Sequence, residues 1–383
     1  PGADGVGDYS RLLAGAFLQA GWKVHLLSLH DDYVDTCTFG SQLSAGGELP
    51  ILRLPSHIPW EERIAASRDF LRQGQCQWLS LQFVPYAFDP KGLPFQLPGV
   101  IKQLLAPHTT GAKPLALHLM FHEIWVGIAR SSSLRERGVG RLQQAIIADL
   151  CRRCSPLAVH TSNTPYQVCL QAIGIPASRL PLYTNLPDPD PAFLASSTPD
   201  AFTACVFGRI PPQWDPRPVM PILQQLARAQ GQVPRLLLLG RNHTPAGWVE
   251  EIQQRWPDVW VNQHGLESSP SRIAALIHNC QLGLATSPWA LIEKSGAVAA
   301  FLRLGLPVLV SREDWQLRKR WAQGHMYQLK PYADLYPLSC CADIHKESNK
   351  RLPPPYPQTN VEEVAESLRE AMESAMQELG WKD

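Results

Sequence analysis

No apolar run in the 383-residue chain approaches the roughly 18 residues needed to cross a bilayer, and the opening stretch lacks the charged, apolar and small-residue layout of a signal peptide. The expectation is a soluble, cytoplasmic protein. Net charge is nearly absent as well: 35 basic residues stand against 34 acidic ones, a formal charge of +1. General attraction for nucleic acid is therefore excluded, and an anionic ligand has to be met by local groups. The chain has no G-x-S-x-G elbow, no H-E-x-x-H and no Walker loop, so hydrolase and nucleotide triphosphatase readings lose support. Nine cysteines form no disulfide framework and read as thiols. Cys151 and Cys154 make a C-x-x-C within a helical pattern without a second ligand pair, and Cys340–Cys341 is a weaker pairing still. No metal site is expected from either.

What is present is apolar: 45% of the residues, enough for a large core and, at this length, about two domains. The 35 prolines punctuate elements, apart from LPPPYPQ at 352–358, which reads as an extended strap. From Lys23 onward, strand-like runs (KVHLLSL, WLSLQF, LALHLMF, PLAVHTS, then TACVFG, RLLLLG, LGLAT, PVLV) alternate with amphipathic helical patterns. Such alternation predicts an α/β fold with parallel sheets and helical crossovers. Two series stand end to end around TNLPDPDPAFLASSTPDA at 184–201. The predicted division is a first domain over 1–187, a linker over 188–200, a second domain over 201–358 and a terminal helix over 359–383. Val361, Val364, Leu368, Met372, Ala375 and Leu379 give that helix one packing face. The Gly-rich opening, followed by a helix that Asp8 could cap and Gly21 could end, lacks the strand that normally precedes such a loop, so the natural chain is expected to start earlier.

The segment LGLATSPWALIEKSGAVAAFLRLGLPVLV reads strand, loop, helix, strand. Gly305 suits the left-handed position after a helix and Pro307 cannot continue one, which pins the helix start near Ser295. The amides of Ser295, Gly296 and Ala297, the Ser295 hydroxyl and the Lys294 ammonium are the parts of a phosphate site; a capped, buried crossover with a solvated lysine is the plain alternative. Arg209 follows a strand and a glycine at the carboxyl edge of the second sheet, where a guanidinium could hold a diphosphate or simply face water. Gly2, Gly5, Val6 and Gly7 form G-x-x-G-x-G and not the dinucleotide fingerprint, which argues against NAD; the glycines admit a ligand or make an ordinary turn. His122 and Glu123 end a strand and face a cleft mouth, whereas His118 within it reads as a core residue. Asp188 and Asp190 form a D-x-D, but each precedes a proline in the linker.

Taken in order, GADGVGDYSRLLAGAF, LQFVPYAFDPKGLP, FHEIWVG, TSNTPYQVCL, RLPLYTNLP, VFGRI and IEKSGAVAAFLRLGLPVLV resemble GT-B-fold glycosyltransferases of the family-4 type across nearly the whole chain. The resemblance implies a GT-B architecture, two Rossmann-like domains facing across a cleft with the last helix crossing back. It implies retaining transfer from a nucleoside-diphosphate-sugar, which is a donor substrate and not a cofactor, without an essential metal. Arg209 and Lys294, with Ser295 and Gly296, would hold the donor diphosphate. His122 would line the reacting sugar, Gly5, Val6 and Gly7 would close over phosphates or acceptor, and the base would lie near Gly240, Arg241 and the turn carrying Gly265 and Leu266. Ser287 and Pro288 would border the sugar. The family's glutamate pair is absent: Ile292 and Ala300 take its places, with Glu293 one residue off. No lysine follows Arg209 at the usual distance; Trp214 and Arg217 stand there instead. The acceptor is left open between a saccharide, a lipid-linked and a small molecule. Arginines 130, 135, 137, 141, 152 and 153 allow a peripheral membrane contact or a solvated helix face. A non-catalytic binding protein, and a nucleotide-sugar epimerase or sugar synthase, are the competing readings.

Overall fold

The computed structural model describes residues 5–107, 113–194, 200–212, 214–241, 247–322, 335–337 and 360–378. Internal contacts divide the chain into two compact units. One comprises 1–181, 316–327 and 361–383; the other comprises 182–315 and 328–360. Cys340, Cys341 and the 352–358 strap lie outside the described residues.

The first unit begins with α1 (Gly5–Gln19), which ends as glycine dictates: Gly21 takes φ 87°, and the amides of Gly21 and Trp22 bond back to Leu18 and Phe17. β1 (Leu26–Asp31), β2 (Thr38–Ser44) and β3 (Gly47–Pro55) form a sheet in the order β1-β3-β2. β1 is parallel to β3, whereas β2 and β3 make an antiparallel hairpin, a departure from the purely parallel expectation. α2 (Trp60–Gln73) leads to β4 (Trp78–Phe83), α3 (Leu97–Leu105), β5 (Ala116–Phe121), α4 (Leu134–Cys154), β6 (Ala158–Thr161), α5 (Thr164–Gln171) and β7 (Ser178–Arg179). β4-β5-β6-β7 is a parallel sheet whose β5, apolar except for His118, is buried along its full length. Cys151 and Cys154 sit in the last turn of α4 as free thiols. Late in the chain, α10 (Lys319–Ala322) returns to this unit, as does α11 (Val361–Glu378), whose Val364, Ala365, Leu368 and Met372 are buried against α1 and β6. Burial of each large aliphatic there contributes about 1.5–3 kcal/mol.

In the second unit β8 (Ala201–Phe207), α6 (Met220–Ala229), β9 (Val233–Leu239), α7 (Trp248–Arg255), β10 (Trp260–Gly265), α8 (Pro270–His278), β11 (Leu282–Pro288), α9 (Gly296–Arg303), β12 (Val308–Arg312) and β13 (Leu335–Pro337) build a single sheet. Every ladder is parallel, in the order β10-β9-β8-β11-β12-β13. One face packs Phe202, Leu223 and Trp214; the other packs Phe301, Leu302 and Ile277. α9 lies close on β11 because Gly283 has no side chain: a Cβ there would stand 2.5 Å from the Phe301 ring.

Candidate active site

The second sheet reverses its order of growth at β8. The chain first builds outward through β9 and β10, then returns to the other side of β8 with β11 and β12. Loops on either side of such a switch leave in opposite directions and open a crevice at the carboxyl ends of the strands. The ladder shows the opening: β8 pairs with β9 from Ala201 to Phe207, but with β11 only at Leu282↔Ala204 and Gly283↔Cys205. Past that register β8 and β11 share no ladder pair, and the residues that follow them flank the gap.

Arg209 follows β8 after Gly208, whose φ is 91°, and is exposed. Among the described residues no carboxylate pairs with it. Gly240 and exposed Arg241 follow β9, and Gly265 ends β10 with exposed Leu266 beyond it. These strand ends are laced by backbone bonds, Gly208 N–H to Leu239 O and Gly240 N–H to Gly265 O, both 2.8 Å. At Gly240, φ is 113° and a Cβ would meet Gly208 backbone atoms at 3.0 Å, so no other residue fits without displacing the rim.

The opposite wall comes from β11 and α9. Ser295 caps α9, its Oγ accepting from Val298 N–H at 3.4 Å and from Ser287 Oγ at 3.3 Å. Gly305 closes the helix at φ 77°, with amide bonds from Gly305 to Leu302 and from Leu306 to Phe301. Both helix ends therefore lie where the sequence places them. The first amides of α9, on exposed Gly296 and on Ala297, lack intrahelical acceptors by position and concentrate the positive end of the helix dipole. A Cβ at Gly296 would meet nothing within 4 Å, so a ligand can approach the backbone there.

Between β11 and α9 the sequence suggests an open loop, but Trp289–Lys294 forms a 3-10 turn that buries Glu293 and leaves Lys294 half-buried. The substitutes expected for the missing lysine are both engaged. Trp214 is buried, its Nε1 donating at 2.7 Å to Ser311 Oγ, which donates to Ala285 O; Arg217 is held by Asp215, with Nη2 at 2.8 Å from the carboxylate. An indole belongs in the core once its N–H has an acceptor, and a neighbouring aspartate neutralises the guanidinium. Exposed Arg209 and Arg241 and the positive end of α9 thus lie at one sheet edge, with half-buried Lys294 just before the helix. Glu267, next to Leu266, is turned to structural use: its carboxylate accepts from the Ser268 and Ser269 amides beside Arg272, which holds its pKa below the usual carboxylate value.

The remaining sequence candidates lie in the first unit. Gly5, Val6 and Gly7 are not a loop; they form the first turn of α1, and Asp8 sits inside that helix, not at its cap. A glycine run discourages a helix interior but is tolerated in a first turn, where orphan amides need no helical acceptor. The next turn carries Tyr9, whose ring meets His122 edge-on at 4.7 Å between centroids. His122 follows β5, and its Nε2 lies 2.8 Å from Gln82 Oε1 near the end of β4. An amide oxygen can only accept, so this contact assigns the proton to Nε2. Beneath it, Gln82 Nε2 donates to Ser80 Oγ at 2.9 Å, Ser80 Oγ meets His118 Nδ1 at 2.7 Å, and His118 Nε2 meets His160 Nδ1 at 3.1 Å. Burial drives the pKa of His160 down to about 4 and that of His118 well below its ordinary value. His118 is the satisfied core residue expected; His122 is its rim counterpart. Sequence reading missed Tyr9, Ser80, Gln82 and His160. The available signal was the polar residues set into otherwise apolar strands: Ser80 and Gln82 in β4, His118 opposite Ser80 in β5, and His160 in β6.

No protein-family model matches the chain, and no curated protein matches it. Among solved structures it is similar in fold to an α,α-trehalose 6-phosphate synthase from Burkholderia multivorans, at 8% identity and TM-score 0.46 over 93% of this chain and 99% of that one. It is similar also to a putative UDP-N-acetylglucosamine 2-epimerase from Listeria monocytogenes (10%, TM-score 0.46, 83% and 80%) and to HepE from Anabaena in complex with UDP-glucose (13%, TM-score 0.42, 87% and 86%).

Proposed function

We propose that the chain is a GT-B glycosyltransferase that moves a hexosyl group from a nucleoside-diphosphate-sugar to a saccharide, lipid-linked or small-molecule acceptor with retention of configuration and without a metal. The observation that carries this reading is the short β8–β11 ladder at the switch point, with Arg209 following β8 and Lys294 and the start of α9 following β11. Departure of a nucleoside diphosphate leaves negative charge on the phosphate oxygens. Cations and amides already aimed at that position stabilise the charge without reorganising, which is the largest lever available to a site of this kind. A guanidinium suits bidentate contact with a diphosphate, and the lysine supplies a point charge. Gly240, Arg241, Gly265 and Leu266 are assigned to the base and ribose side, and Ser287 to the sugar. In the first unit, His122 is assigned to the reacting sugar, with Gln82 fixing its ring and tautomer.

A second reading, donor binding without transfer, draws on the burial of Glu293, which withdraws the one acidic side chain that could stand in for the missing pair. Incubating the protein with UDP-, GDP-, ADP- and TDP-hexoses and analysing products separates the two. Release of nucleoside diphosphate together with glycoside or free sugar supports transfer. Tight donor binding with the sugar nucleotide recovered intact leaves the binding reading, and conversion of one sugar nucleotide into another identifies an epimerase.

A further inference from the structure

The segment that returns to the first unit after β12 carries three cations in a row, Arg318, Lys319 and Arg320. It joins the loop between β5 and α4 by a short antiparallel pairing: Arg130 N–H donates to Gln316 O at 2.7 Å, Arg318 N–H donates to Ile128 O at 2.9 Å, and Ala129 bridges Leu317. That loop is pressed onto α4, because Cβ atoms at Gly127 and Gly140 would stand 2.9 Å from Arg137 Cα and 2.0 Å from Val126 O. Segment, loop and helix therefore share one surface. Arg137 and Arg141 sit one turn apart on α4, where residues four apart are neighbours. Several of these guanidinium groups are already held in place. Arg318 Nη1 donates to Gly127 O at 3.1 Å, Arg137 Nη2 donates to Arg130 O at 3.4 Å, and Arg320 stacks 3.9 Å from the centre of the Trp321 ring, which packs on Trp125 at 5.5 Å between centroids.

This surface has no counter-charge of its own. Elsewhere in the chain helix arginines meet carboxylates, as Arg72 meets Asp69, Arg153 meets Asp149, and Arg369 meets Glu366 and Glu373. Among the described residues no carboxylate pairs with Arg130, Arg137, Arg141, Arg318, Lys319 or Arg320. Glu136, the acid in the first turn of α4, serves the capping box, its Oε2 accepting from Ser133 N–H at 2.6 Å. Burial and then the charges of Arg137, Arg320 and Arg141 lower the pKa of Arg318, and burial and then Arg141 lower that of Arg320. Like charges held together repel, and a bound anion relieves them. Arg137 Nε and the indole Nε1 groups of Trp125 and Trp321 are buried with no acceptor among the described residues, so donors are in surplus throughout.

We infer that Arg137, Arg141, Arg318 and Arg320 form an anion site of the first unit that takes a phosphate group. A guanidinium fork matches two phosphate oxygens, and side chains already fixed by the protein lose little freedom on binding. A solvated helix face needs neither the carbonyl that tethers Arg318 nor the ring beneath Arg320. Assigning the phosphate to the acceptor rests on the transfer reading above; the anion site stands without it. A free sugar phosphate and a phospholipid headgroup offer the same chemistry.

Titration calorimetry with inorganic phosphate, on the wild type, Arg141→Gln and Arg320→Gln, tests the site. Both side chains are exposed, so replacing them spares the core, and the difference from wild type isolates the cluster from phosphate bound elsewhere. Each glutamine is expected to weaken phosphate by about 10-fold, whereas Arg141→Lys, which keeps the charge without the fork, is expected to weaken it by about 3-fold. Two further arms identify the source. A hexose phosphate that binds where the plain hexose does not, and that weakens in the same variants, makes it a soluble phosphate. Sedimentation with vesicles containing phosphatidic acid but not with pure phosphatidylcholine vesicles, lost in the same variants, makes it a lipid. Absence of phosphate binding, or binding of equal strength in the wild type and both glutamine variants, overturns the inference. UDP titrated into the same samples keeps the two readings apart: equal phosphate binding with nucleotide binding intact strikes this site alone, and the reverse result strikes only the proposed function.

Discussion

Acidification is expected to weaken the first unit through the His118–His160 pair. Both rings lie inside the parallel sheet, bonded to one another at 3.1 Å, and neither is more than 6% exposed. Burial lowers the pKa of His160 from 6.5 to about 4, and that of His118 falls as well, from burial first and then from the neighbouring histidines. A histidine whose folded pKa is depressed contributes stability that is complete above its unfolded value and is lost as pH falls toward the folded one, because only the unfolded chain takes up the proton. For His160 the window runs from about pH 6.5 down to about 4. Between pH 7 and pH 5 the linkage relation gives a loss of about 2 kcal/mol from His160 alone, and His118 adds to it in the same direction. The assay is urea unfolding at half-unit pH steps, comparing the wild type with His160→Gln, which keeps a hydrogen-bonding side chain and cannot titrate. The variant starts less stable at pH 7, and its stability falls less steeply below pH 6.5, by close to one proton in the slope. Parallel slopes for the two proteins would refute the assignment of a buried, neutral His160.

Two substitutions probe how the sites are held. Gly240→Ala places a Cβ 3.0 Å from the Gly208 backbone at φ 113°, and is expected to cost about 1–3 kcal/mol of stability and to weaken nucleotide binding, measured by denaturation and calorimetry. Gln82→Leu removes the acceptor from His122 Nε2; the transfer rate is expected to fall about 10- to 100-fold with donor affinity unchanged, a split between kcat and Kd that a folding defect would not produce.

The sequence announces what is local and apolar. The strands at LALHLMF, TACVFG and RLLLLG, the Ser295 cap, the glycine stops at 21 and 305 and the one-faced last helix all follow from hydrophobic period and backbone sterics. What it conceals depends on partners distant in the chain. β2 is missed because TFGSQLS is exposed nearly throughout and shows no apolar alternation, and its pairing with β3 is antiparallel where a crossover pattern surrounds it. β10, WVNQHG, is too polar to stand out, yet it completes the sheet and supplies the Gly265 rim. Glu293, Trp214 and Arg217 carry the chemistry of site residues, but a 3-10 turn, a hydroxyl 97 positions away and an adjacent aspartate take them out of reach. The return of residues 316–322 to the first unit leaves no periodic signal at all. The place of Arg209 at the carboxyl edge of a strand is legible from the sequence, and the reversal of strand order at β8 adds that this edge is the switch point of the sheet.

The central claim is that the carboxyl edge of the second sheet holds a nucleoside diphosphate through Arg209, Lys294 and the start of α9. Titration calorimetry of UDP, GDP, ADP and TDP against the wild type, Lys294→Ala and Arg209→Ala tests it most directly. Loss of a charged hydrogen-bond partner is worth about 1.5–3 kcal/mol, so each substitution should weaken the preferred nucleotide by about 10- to 100-fold. Binding of no nucleoside diphosphate, or binding that both variants retain at wild-type strength, would contradict the account.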